Sequence, residues 1–144
     1  MLVSQILKLK ADDTVVAIGP DASVSDAVAL LATRKIGALI VSRDGKTALG
    51  ILSERDVVRE LGLRGAGVLS ETVSALMTAK LVSCQRGDQT GAILQMMTDG
   101  RFRHMPVIEG GQLIGMISIG DVVKARVSEL SAEKDALEGM IKGF

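Results

Sequence analysis

A serine followed three residues later by an aspartate occurs twice in this chain, each time after a glycine and a short apolar run. The first copy is Gly50-Ile51-Leu52-Ser53-Glu54-Arg55-Asp56-Val57-Val58, and the second is Gly115-Met116-Ile117-Ser118-Ile119-Gly120-Asp121-Val122-Val123. The offset is 65 residues (115 minus 50). Such a segment reads as a strand running into a helix, with the hydroxyl and the acid at the helix start. Two kinds of chemistry suit that pattern. Structurally, Ser53 and Ser118 are good helix N-caps, and Asp56 and Asp121 stand where a capping box has its acid. The acid also complements the positive end of the helix dipole. Functionally, a helix N-terminus offers free N–H groups to an anion. The hydroxyl can reach a phosphate oxygen, and the carboxylate can accept hydrogen bonds from a ribose diol. Both readings stand at this point.

The elements that must position these residues repeat as well. Val3 to Leu7 opens a short amphipathic helix, echoed by Val73 to Met77. Thr14 to Ile18 reads as a β-branched strand ended by Gly19-Pro20, and Leu81 to Cys84 as its counterpart. Ser23 or Ser25 caps the next helix, whose apolar face is Val24, Ala27, Val28, Leu30 and Leu31. This helix is expected to end near Lys35-Ile36-Gly37, with Gly37 as C-cap. Its second copy runs from Thr90 to Gly100. Ala38 to Val41 and Ala48 to Leu52 form a hairpin about Asp44-Gly45. Met105 to Ile108 and Leu113 to Ile117 form another about Gly110-Gly111. Each unit is therefore β-α-β-β-α, with a flexible linker expected from Gly62 to Ser70. The division is 1–65 for the first repeat with its N-terminal helix, 66–130 for the second, and 131–144 for an extension of the last helix. A unit of roughly 60 residues buries its sheet poorly alone. The expected fold is α/β (α+β), with two repeats packed sheet to sheet about a pseudo-two-fold axis.

Composition narrows the function. The 144 residues carry no net formal charge, and there is no Trp or Tyr. Nucleic-acid binding needs a basic surplus or aromatic stacking platforms, so neither route is open. No apolar run has the length of a membrane span. The segment from Met1 to Lys10 lacks the apolar run and small-residue cleavage site of a signal peptide. The one cysteine, Cys84, allows no intramolecular disulfide and points to a reducing, cytoplasmic setting. It is expected to be buried at a strand end. His104, the only histidine, has no Cys or His neighbours that suggest a metal site. No nucleophile elbow or other catalytic constellation is present, so the chain is not expected to be an enzyme. In the tail, Val123, Val127, Leu130, Leu137 and Ile141 recur at spacings of four and three, interrupted by Lys134. That heptad-like stripe packs either on the protein's own body or across a homodimer.

Together, the duplicated Gly-x-x-Ser-x-x-Asp pattern, the VSALMT segment from Val73 to Thr78, the RFRHMPV segment from Arg101 to Val107 and the unit order resemble the CBS (cystathionine beta-synthase) domain. The similarity spans roughly Val3 to Leu130 and fits a stand-alone bacterial CBS pair. The resemblance implies a regulatory, signal-transducing module that binds an adenine nucleotide in clefts between repeats: AMP first, with ADP, ATP, NAD or S-adenosylmethionine as alternatives. It implies Ser118 and Asp121 as phosphate and ribose contacts in one cleft, and Ser53 and Asp56 in the other. Arg103 and His104, ahead of Pro106, would meet phosphate. Ala17-Ile18 and Ser83-Cys84 would form adenine pockets, with apolar walls from Ile40, Met105 and Ile119. The first repeat has Gly37-Ala38-Leu39-Ile40 where the second has Arg103-His104-Met105-Pro106. Glu54 adds an anion beside the first motif, which Arg55 offsets. The Ser118–Asp121 cleft is therefore expected to bind more tightly. The partners implied are the nucleotide, a second copy of the chain and an unknown regulated protein, with no nucleic acid and no membrane. The alternative function is a structural homodimerisation protein with vestigial clefts.

Overall fold

The structure, a computed structural model, describes residues 1–10 and 14–142; the end of the 131–144 extension, 143–144, lies outside the described residues. Its helices and strands follow in the order α1 Val3–Leu9, β1 Ala17–Ile18, α2 Val24–Arg34, β2 Ala38–Val41, β3 Gly50–Ser53 and α3 Glu54–Arg64. After a 3-10 turn over Ala66–Ser70 come α4 Val73–Leu76, α5 Thr90–Gly100, β4 His104–Glu109, β5 Gln112–Ser118 and α6 Ile119–Ile141.

Each repeat is built around an antiparallel hairpin. In the first, β2 pairs with β3 and places Ala38 opposite Ser53, while β1 lies parallel to β2 on its other edge. In the second, β4 pairs with β5 and places His104 opposite Ser118. The turn between them uses positive φ at both Gly110 and Gly111, which suits a two-residue hairpin loop. The strand expected over Leu81 to Cys84 shrinks to one parallel bridge between Cys84 and Val107. Cys84 N–H donates to Pro106 O (3.0 Å), and Ile108 N–H donates to Cys84 O (2.9 Å). Cys84 thus holds the place in the second repeat that Ile18 holds against Val41 in the first. The first strand is likewise shorter than expected, because β1 pairs over only two residues.

There are two cores. Val24, Ala27, Leu31, Leu39, Val41, Leu52 and Val57 close the first repeat, joined by Val68, Val73 and Leu76. Ile93, Met97, Met105, Val107, Ile117, Val122 and Ala125 close the second, joined by Val3 and Ile6. The two short entry helices are therefore exchanged. α1, at the start of the chain, docks on the second core, and α4 docks on the first. Matching hydrogen bonds fasten both: Val3 N–H to Asp88 O (2.9 Å) and Thr90 N–H to Met1 O (3.0 Å), against Val73 N–H to Ala22 O (2.8 Å) and Val24 N–H to Glu71 O (2.9 Å). This equivalence is the pseudo-two-fold relation between the repeats.

The exchange also explains the glycine that opens each motif. A Cβ on Gly50 would stand 2.6 Å from Met77 Sδ and 2.9 Å from the Thr78 carbonyl oxygen, and one on Gly115 would stand 2.8 Å from Leu7 Cδ2. Each glycine lets the exchanged helix lie against the strand.

Three local expectations are corrected. The Gly62–Ser70 linker is ordered: α3 runs to Arg64, and the following turn buries Val68 in the first core. Arg64 bridges Glu60 and Glu71, each at 2.8 Å, which holds the connection down. The C-cap of α2 is Lys35 (φ 55), not Gly37, and Arg101 (φ 56) does the same for α5. Both are non-glycine residues in the left-handed region that glycine usually takes. The apolar stripe of α6 does not pack on the protein's own body: Leu130 and Leu137 are more than half exposed.

Candidate functional site

Both serine–aspartate motifs form the capping box. Asp56 N–H donates to Ser53 Oγ (3.2 Å), while Ser53 N–H and its hydroxyl both donate to Asp56 Oδ2 (3.0 Å each). In the second copy Asp121 N–H donates to Ser118 Oγ (3.1 Å), and Ser118 N–H donates to Asp121 Oδ2 (2.9 Å). These bonds start α3 and α6 and leave each carboxylate a second oxygen. The backbone ahead of each hairpin is hooked onto the helix start in the same way. Glu54 N–H donates to Gly37 O (2.9 Å), and Ile119 N–H donates to Arg103 O (2.8 Å).

The surroundings of the two motifs differ. Ser53 and Asp56 line a cleft of about 370 Å³ between the repeats. Its other walls are Thr78, Lys80, Leu81 and Val82, which follow α4, and Arg101, Phe102, Arg103, His104 and Pro106, which lead into and along β4. Arg55 and Arg59 of α3 complete the rim. Asp56 is almost buried, and its Oδ1 accepts from Arg59 Nη2 at 3.1 Å. Ile51, Leu81, Val82 and Pro106 supply an apolar side to the same cleft. Asp121, in contrast, faces α1. Its Oδ2 takes Lys10 Nζ at 3.1 Å, and that ammonium also donates to Met116 O at 2.7 Å. Its concavity, with Ile6, Leu9, Lys124, Ala125 and Ser128, does not include Ser118, Arg103 or His104.

This grouping goes beyond the expected one. Arg103 and His104 line the cleft of Ser53 and Asp56, while His104 also stands opposite Ser118 across the β4–β5 ladder and near Asp121. The physical reason is at Gly37. The second repeat's strand begins with His104, and its ring crosses the interface to lie on the bare Cα of Gly37. A side chain there would block it. His104 sits among Glu54, Asp121, Lys10 and Arg103, and burial holds its pKa below the ordinary 6.5.

The remaining expected site residues scatter. Arg55, Pro106, Ser53 and Asp56 line the cleft. Ala17 and Ile18 are paired in β1, Ile40 and Met105 are fully buried, and Ile119 is half-buried at the start of α6. Ser83 is exposed outside the cleft. Cys84 is buried against β4, and burial pushes its thiol up to about 12. The segment that reaches the cleft lies two to four residues earlier, at Lys80 to Val82. Its lysine was a readable signal, because Lys10 and Lys80 stand at the same place after α1 and α4. Arg59 and Arg101 carried the same kind of signal, matching Lys124 after the second motif and Lys35 after α2, whereas Phe102 carried none. Among the described residues, no cluster of His, Cys, Asp and Glu could hold a metal ion. No helix among them is long and apolar enough to cross a membrane.

Two α/β repeats that exchange their entry helices and enclose a cleft at a capped helix start define a tandem-repeat α/β module. The chain belongs to the CBS domain family, whose family model matches residues 3–63 and 73–128. It is similar to the mitochondrial CBS domain-containing protein CBSX3 of Arabidopsis thaliana, 36% identical over 98% of this chain and 72% of that one. It is also similar to the CBS-domain containing protein ATU1752 of Agrobacterium tumefaciens, with 45% identity and a TM-score of 0.83 over 88% of this chain and 99% of that one. The CBS domain pair of protein MJ0100, solved in complex with methylthioadenosine and S-adenosyl-L-methionine, shares the fold at a TM-score of 0.77, with 16% identity over 90% of this chain and 98% of that one.

Proposed function

We propose that this chain is a regulatory CBS pair that holds an adenine nucleotide in the cleft at the start of α3, and that it acts on a partner protein rather than by catalysis. The repeats are assigned as 1–65 and 66–130, with 131–144 extending the last helix. The observation that carries this reading is the meeting of Ser53 and Asp56 with Arg103 and His104 in one cleft that also has an apolar side. The parts suit the ligand: Ile51, Leu81 and Val82 for the base, Asp56 for the ribose diol, and the start of α3 with Arg103 for phosphate. Adenosine compounds bound to the MJ0100 pair support the ligand class. Nucleotide in the cleft would favour one packing of the two repeats, because it touches both, and a population shift requires such differential contact. Cys84, unpaired and buried, fits a reducing compartment such as the cytoplasm.

Calorimetric titration with AMP, ADP, ATP, NAD, S-adenosylmethionine and GMP tests this. Asp56→Ala is expected to weaken adenine-ligand binding by about 1.5–3 kcal/mol, the worth of hydrogen bonds to a charged group. Asp121→Ala is expected to weaken it less, since Asp121 does not line that cleft. No binding of any adenine compound to nucleotide-free protein would refute the reading.

One observation favours homodimerisation as a second role. Val127, Leu130, Leu137 and Ile141 of α6 are 53–85% exposed along one stripe, which a second copy would cover. Light scattering is expected to show a dimer that Leu130→Asp with Leu137→Asp dissociates. A monomeric parent protein would rule it out.

A further inference from the structure

The charge of the cleft specifies its ligand more closely. Five of the chain's seventeen Lys and Arg residues line it: Arg55, Arg59, Lys80, Arg101 and Arg103. Two carboxylates, Glu54 and Asp56, oppose them. The balance is three positive charges (five minus two) with His104 neutral, in a chain whose formal net charge is zero. Of the five, Arg59 is held by Asp56 and Glu60. Among the described residues, Arg55, Lys80, Arg101 and Arg103 have no carboxylate within 4.0 Å; of the arginines elsewhere, Arg43, Arg64 and Arg126 do, and Arg34 and Arg86 do not. The four come from three walls: α3, the segment after α4 and the connection into β4. Cations on one exposed face are ordinarily just solvated. Cations converging on a concavity from separate elements repel one another there, and the focused field attracts an anion.

We infer that the ligand of this cleft carries two or three phosphates, a nucleoside di- or triphosphate rather than a monophosphate; this rests on the adenine-nucleotide reading above. A monophosphate of about two negative charges leaves the cleft with a surplus, whereas a chain of two or three phosphates carries about three to four. The first phosphate takes the start of α3 beside Ser53. The remaining ones reach Lys80 and Arg101, exposed cations on the two walls other than α3. Arginine suits such oxygens through its planar fork and lysine as a point charge. The concavity beside Asp121 is the weaker rival for a polyphosphate, because its cations are Lys124 and Lys10, and Lys10 is paired with Asp121.

The test is titration of the full chain, freed of copurified nucleotide and kept in EDTA, with AMP, ADP and ATP. ATP is expected to bind at least about tenfold more tightly than AMP, with ADP between, and its affinity is expected to fall more steeply with added salt. Lys80→Ala and Arg101→Ala, both at exposed positions, are each expected to shrink the ATP-to-AMP ratio, with unchanged unfolding midpoints as the control for folding. AMP binding as tightly as ATP would overturn the inference and leave the adenine site standing. A ratio untouched by both substitutions would overturn the placement of the phosphates. Failure of all three nucleotides to bind would overturn the inference together with the adenine reading beneath it.

Discussion

The His104 ring lies on Gly37: a Cβ on that glycine would stand 3.0 Å from His104 Cε1 and 3.2 Å from Nε2, with Glu54 Oε1 at 3.5 Å. The contact joins residues 67 positions apart (104 minus 37) from the two repeats, and it brings the basic pair to the cleft of Ser53 and Asp56. The φ of Gly37 is not in the left-handed region, so the glycine is needed for room and not for backbone freedom. Gly37→Val is expected to destabilise the protein by about 1–3 kcal/mol through overpacking. The cost should fall sharply in a His104→Ala background. Urea midpoints for the four members of that double-mutant cycle measure the coupling, and additive effects would mean that the contact carries no energy.

His104 also makes stability depend on pH. Its folded pKa lies below 6.5 because burial disfavours the imidazolium; Glu54 and Asp121 oppose that shift, and Lys10 and Arg103 add to it. Between the folded pKa and 6.5 the unfolded chain binds more protons than the native one, so stability rises with pH across this window and is lost as pH falls through it. Unfolding midpoints should drop from pH 7.5 to pH 5.5, and His104→Gln should reduce the drop. An identical drop in that variant would assign it to other groups. A bound phosphate beside the ring would favour its charged form, so nucleotide affinity should increase as pH falls over the same range.

The two motif glycines should differ in tolerance. Gly50 faces the Thr78 carbonyl oxygen as well as Met77, so Gly50→Ala must move backbone and is expected to cost about 1–3 kcal/mol. Gly115 faces the end of the Leu7 side chain, which can rotate away, so Gly115→Ala is expected to cost less. Chemical denaturation of both variants compares them directly, and equal costs would contradict this distinction.

Lys35 holds the left-handed position after α2 at φ 55. A residue with a Cβ is strained there, and glycine gives back part of the gain by loosening the unfolded chain. Lys35→Gly is therefore expected to stabilise by about 0.5–1 kcal/mol, read as a higher thermal midpoint. A lower midpoint would show that the lysine side chain contributes more than its backbone costs.

Burial pushes the Cys84 thiol up to about 12, with Asp88 and Glu109 adding to the effect. Thiolate is the reactive form, so a disulfide reagent at pH 8 should modify the native protein only at the rate of unfolding. Rapid reaction of the folded protein would contradict the buried placement.

Much of the fold was readable because it is locally encoded. Ser23, Ser53 and Ser118 all cap the helices that follow them, as a side-chain oxygen ahead of a 3.6-residue apolar period predicts. Both hairpins follow from Asp44-Gly45 and Gly110-Gly111 between apolar runs. The errors have specific causes. Gly37 read as a C-cap because glycine prefers that position, but the chain reserves it for His104. Gly62, Gly65 and Gly67 read as a linker because composition says nothing of Val68, whose burial fastens the segment. The family resemblance implies a pocket at Ser83 and Cys84, whereas the pairing of Cys84 with Val107 turns its thiol into the core.

The sequence by itself determined the duplication, the unit order and the capped helix starts, since each rests on neighbouring residues. Only the tertiary structure decided that α1 and α4 exchange cores, that Lys10 pairs with Asp121, and that Arg103 and His104 line one cleft with Ser53 and Asp56. A repeated sequence encodes two nearly equivalent halves without saying which helix packs on which half. That choice is made by contacts between residues as much as 128 positions apart (129 minus 1), where packing volume and charge pairing act and no local period records them.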